Sequence, residues 1–72
     1  MSAAIRVTVN GEPRQLPSGA TIASVVQELT GRPEGRGVAV AVGGEVVPRG
    51  AWSHTALREG VALEVVTAVQ GG

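Results

Sequence analysis

The sequence predicts an α+β fold: a five-stranded mixed sheet with one main helix packed on one face. Three features predict it. Apolar and polar residues alternate with period two in several short runs, a single segment carries apolar residues at helical spacing, and glycine- or proline-bearing dipeptides separate these segments. The resulting order is strand, strand, helix, strand, strand, strand, in which one helix covers one face of one sheet.

Ile5, Val7 and Val9 alternate with Arg6 and Thr8, as in a half-buried strand. Asn10-Gly11 follows, a dipeptide suited to the positive φ angles of a type I′ turn, so the chain should reverse into a second strand around Arg14 to Leu16. Pro17-Ser18-Gly19 breaks that ladder, and Thr21 stands where a helix N-cap would accept from unpaired backbone N–H groups. Ile22, Val25, Val26 and Leu29 then form one apolar helical face, with Ser24, Gln27 and Glu28 turned outward and Gly31 ending the helix. Residues 32–37 read as a mobile loop. In the run Val38 to Val42 the valines face one way and the alanines the other. Gly43-Gly44 turns the chain into Glu45-Val46-Val47, and Pro48 ends this strand or places it on an edge. A short irregular stretch from Gly50 to Leu57, with room for one 3₁₀ turn, and a turn at Glu59-Gly60 lead to a last strand from Val61 to Val66. The predicted core is Val7, Leu16, Val26, Leu29, Val40, Leu57, Leu63 and Val65, with Trp52 closing its rim.

Composition excludes several function classes. The 72 residues hold six arginines against six glutamates, with no lysine, aspartate or cysteine. Disulfides and thiolate metal sites are therefore absent, and no metal is expected. The net charge is zero and the arginines are dispersed, so neither nucleic acid nor an anionic membrane is an expected partner. With no signal peptide and no apolar span of about 20 residues, the expected location is cytoplasmic. His54 sits among serine and threonine, away from any ligand spacing, and reads as an exposed imidazole. No Ser/His/acid set, phosphate loop or carboxylate pair in an apolar setting appears, so no catalytic residue and no enzyme activity are assigned.

What remains reactive is the carboxylate at Gly71-Gly72. A diglycine end has no Cβ atoms, so it threads a narrow channel and offers an unhindered acyl carbon to a nucleotide-activating enzyme. Extended, residues 67–72 reach up to about 20 Å. Adenylation supplies AMP as a leaving group, after which a sulfur nucleophile takes the carbonyl and a terminal thiocarboxylate results.

The hairpin at Asn10-Gly11, the helix Thr21 to Leu29, the run Gly37 to Val42, the segment Val46-Val47-Pro48-Arg49 followed by Trp52, and the Gly71-Gly72 end together resemble the ThiS sulfur carriers of thiamine biosynthesis. The resemblance spans nearly the whole chain. It implies a ubiquitin-like β-grasp domain over 1–66, its first and last strands parallel at the sheet centre, followed by a flexible tail over 67–72. It further implies that Gly72 is the acyl carrier with Gly71 as its neighbour. The implied partners are an E1-like adenylyltransferase of the ThiF or MoeB type, which uses ATP and magnesium, a cysteine desulfurase relay and thiazole synthase. The carrier itself would bind no cofactor and be monomeric when free. Two positions depart from the pattern: Gly43-Gly44 stands where Asn-Gly is frequent, and Val61 follows Gly60 where aspartate is common.

If valines 38, 40 and 42 face the helix, then Arg6, Thr8, Ala39, Ala41, Glu64 and Val66 share the opposite face, where small alanines admit a partner closely. A solvent-facing sheet explains the same pattern. Three other functions fit the same fold: a carrier for molybdopterin or cysteine synthesis, a modifier joined to lysines of other proteins, and a passive interaction module.

Overall fold

A computed structural model describes residues 4–32 and 36–67. It contains five strands, β1 (Ala4–Val9), β2 (Glu12–Pro17), β3 (Val38–Val42), β4 (Glu45–Val47) and β5 (Ala62–Thr67), one α-helix, α1 (Ile22–Thr30), and a 3₁₀ helix over Arg49–His54. The strand order is β2-β1-β5-β3-β4, with β1 and β5 parallel and the other neighbours antiparallel. This is the β-grasp arrangement expected from the sequence.

Both hairpins owe their tightness to paired positive φ angles. Asn10 and Gly11 have φ 53° and 83°, and Gly43 and Gly44 have 59° and 86°. Two successive left-handed residues match the right-handed twist of the flanking strands. The Gly-Gly at the second turn therefore keeps the geometry that Asn-Gly would adopt.

Helix α1 begins at Thr21, whose hydroxyl accepts from the Ser24 N–H at 3.2 Å while Ser24 Oγ accepts from the Thr21 N–H at 3.1 Å. This reciprocal pair is a capping box in which serine takes the place usually held by glutamate. The helix ends at Gly31, φ 69°. Ile22, Val25 and Val26 are buried against the sheet and Leu29 is half-buried, a correction to its expected place in the fully buried set. The segment 55–57 straps the start of the helix: Ile22 N–H donates to the Thr55 carbonyl at 3.1 Å, and Leu57 N–H donates to the Ala20 carbonyl at 2.9 Å.

The core is otherwise as expected, enlarged by Val9, Ala20, Ile22 and Val25. Trp52 lies inside it rather than at its rim, 3% exposed, and its indole N–H donates to the Val47 carbonyl at 2.9 Å. That bond satisfies the one polar atom of the ring, so the whole indole can be buried. The 3₁₀ helix that presents Trp52 starts earlier and runs longer than the single turn expected, and β5 is displaced by one residue from the predicted Val61 to Val66. Residues 33–35 of the predicted loop, and 68–72 of the predicted tail, lie outside the described residues.

Candidate functional site

Alternation along β5 divides its side chains between two faces. Leu63 and Val65 are buried, whereas Ala62, Glu64 and Val66 are exposed on the face without a helix. Register then assigns their neighbours. Val66 lies beside Ala39, Glu64 beside Ala41, and Thr8 beside Ala62. The alanines face outward because Val40 between them is buried.

Five of the six residues expected on this face, Thr8, Ala39, Ala41, Glu64 and Val66, thus lie on or beside β5, from Ala62 next to Thr8 to Val66 next to Ala39. Arg6 shares the face but stands at its other end, where the Arg6 carbonyl accepts from Gly60 N–H and the Arg6 N–H donates to Glu59 Oε1 at 2.9 Å. Arg6 is two residues from Thr8 on the same strand, about 7 Å, and four residues, about 13 Å, from the level of Glu64. Val46 was missed by the sequence reading. It pairs with Ala41 and is 75% exposed, and with Val66, 61% exposed, it gives this face the large exposed hydrophobics of the described residues. The signal was available, since Val47 next to it pairs with buried Val40 and so Val46 must point the other way.

Around Ala39 and Ala41 the face is apolar apart from Glu64, with Arg6 at its far end, and it lies on the strand that leads into the C-terminal residues. Gly71 and Gly72 themselves lie outside the described residues. Among the described residues, no group of three or more His, Asp or Glu side chains could hold a metal ion, and no helix is long and apolar enough to cross a membrane. His54 is exposed, as expected.

Comparison with known proteins gives the same picture. No curated protein gives a significant sequence match. Nine chains of solved structures match. One is the crystal structure of a thiamine biosynthesis protein (ThiS) from Geobacter metallireducens, 27% identical to this chain, with a TM-score of 0.76 over 94% of this chain and 100% of that one. The ThiS family model matches residues 7–72. The chain therefore belongs to the ThiS family, small sulfur carriers of the ubiquitin-like β-grasp fold.

Proposed function

We propose that this chain carries sulfur as a thiocarboxylate on Gly72 and donates it for thiazole formation in thiamine biosynthesis. The observation that carries the reading is the extent of the family match, which runs to residue 72 and so includes Gly71 and Gly72. The Gly72 carboxylate attacks the α-phosphorus of ATP held by an E1-like partner of the ThiF or MoeB type, and pyrophosphate leaves. A persulfide from a cysteine desulfurase relay attacks the acyl carbon of the adenylate and expels AMP, and a thiol reductant splits the resulting acyl disulfide to leave the thiocarboxylate. Thiazole synthase takes the sulfur onto its substrate, and an oxygen from that substrate's carbonyl or from water restores the carboxylate. ATP and magnesium belong to the activating partner.

The surface around Thr8, Ala39, Ala41, Glu64 and Val66, extended by Val46, is where that activating partner docks. Gly72 is five residues beyond Thr67, the end of β5, so a partner seated on this face has the terminal carboxylate within about 17 Å of it. Small side chains let the partner approach the strands, and the exposed valines supply apolar area.

Ala41→Arg tests the docking half of the proposal. The new side chain has Glu64 as its cross-strand neighbour, so the domain should stay folded. Incubated with the activating enzyme, ATP and magnesium, the variant should release pyrophosphate with kcat/KM about tenfold lower, mostly through KM, since one lost interface contact costs about 1–2 kcal/mol. An unchanged KM contradicts the assignment of this face.

A further inference from the structure

Asn10 does more than turn the first hairpin. Parallel pairing between β1 and β5 stops at Thr8↔Ala62 and Val9↔Leu63, after which the chain turns away into β2. The Asn10 backbone N–H still donates to the Leu63 carbonyl at 2.9 Å. Its side chain then continues the ladder: Val65 N–H donates to Asn10 Oδ1 at 2.8 Å, and Asn10 Nδ2–H donates to the Val65 carbonyl at 3.1 Å. One residue thus makes three hydrogen bonds to β5, two of them where a backbone strand has already left.

The choice of residue follows from two requirements that meet at this position. The backbone is left-handed, φ 53°, which among side-chain-bearing residues favours asparagine and aspartate. The Val65 peptide edge presents a donor and an acceptor together, and an ionised carboxylate is acceptor-only. Asparagine meets both.

We infer that the Asn10 carboxamide is the clasp that fixes the outgoing end of β5, and so aims the residues that follow Thr67 toward the activating enzyme. This rests on the carrier reading above. On its other side β5 is paired with β3 as far as Thr67↔Val38, so without the clasp the last residues of β5 would be held along one edge only. Asn10 touches no reacting atom; it is a positioning residue, acting through the strand that leads to Gly72.

Asn10→Gly is the cleanest variant, because glycine keeps the left-handed turn and deletes only the clasp. Asn10→Asp is the second, nearly isosteric, with a carboxylate facing the Val65 carbonyl. Thr21→Ala is the control: it removes the helix cap and lowers stability without touching β5. The first readout needs no partner. Amide exchange at Val65 should speed up about tenfold in Asn10→Gly relative to the control, and less in Asn10→Asp, whose carboxylate still accepts from the Val65 N–H. The second readout is pyrophosphate release with the activating enzyme, ATP and magnesium, measured well below the unfolding transition. Here kcat should fall about tenfold in the Asn10 variants with KM little changed, because the docking face is intact while the reacting end is misaimed. Val65 exchange equal to that of the control overturns the clasp itself. Faster exchange with a kcat equal to the control's overturns the aiming role. A wild-type chain that is never adenylated overturns the carrier reading, and is distinguishable because the exchange result stands apart from it.

Discussion

Leu63→Ala should leave most of the molecules unfolded at room temperature. Leu63 is 1% exposed in the central strand, beside Val9 on β1 and Val42 on β3, with the helix above that face. Truncation removes the transfer free energy of three carbons and leaves a cavity, at a cost of about 2–5 kcal/mol. A core in a domain this small supplies only about 3–5 kcal/mol of net stability. The two figures are comparable, so one side chain holds most of the margin. Trp52, the single tryptophan, reports directly: its indole is buried in the wild type, and its emission should shift to the red in the variant. A cooperative unfolding transition lowered by only a few degrees would contradict this placement of the core.

Deleting Gly71 and Gly72 should have the opposite profile. Neither glycine has a side chain to bury, so the deletion removes no apolar core area and the thermal unfolding midpoint should not move. Sulfur loading should vanish. The truncated chain would end in Gln70, which carries a Cβ and a long side chain into a channel proposed to admit glycine alone, two residues short of the activating site. Misplacing a reacting group by even about 1 Å costs about a hundredfold, and two missing residues displace it by several times that. Loading that survives the deletion would mean that the reactive group lies elsewhere.

Most of the fold was legible in local pattern. Alternation at Ile5, Val7 and Val9, the helical spacing of Ile22, Val25 and Val26, and the two positive-φ turns each express a rule confined to a few neighbouring residues, and each element stands where those rules put it. Contacts between distant segments were not legible. The Asn10–Val65 clasp joins residues 55 apart in the chain, and the Asn10-Gly11 dipeptide reads as a turn whether or not its side chain finds a second strand. Trp52 was placed at the rim as the one bulky side chain able to fill a corner, and the Val47 carbonyl that lets the whole indole go inside appears only once the 3₁₀ helix folds back on β4. The bounds of that helix and of β5 missed for a similar reason: Val61 is apolar enough for a strand, yet its carbonyl is used by Thr8 in entering the sheet rather than within the ladder.

The candidate face was legible in part. Alternation alone put Ala39 and Ala41 opposite the helix, but which residues gather around them depends on register, which adds Val46 beside Ala41 and leaves Arg6 at the end of the face nearest Gly60. The terminal glycines stood out through what the rest of the chain lacks, with no cysteine, no lysine and no assembled catalytic set in the sequence.

Sulfur on Gly72 as a thiocarboxylate is visible to intact mass spectrometry of the wild-type chain after incubation with a ThiF-type activating enzyme, ATP, magnesium and a sulfide source. The product should be heavier by one oxygen-to-sulfur exchange, formed only when ATP is present, with the added mass confined to the C-terminal fragment. A chain that stays at its original mass, or that is recovered instead in amide linkage to lysines of other proteins, would contradict a thiocarboxylate on Gly72.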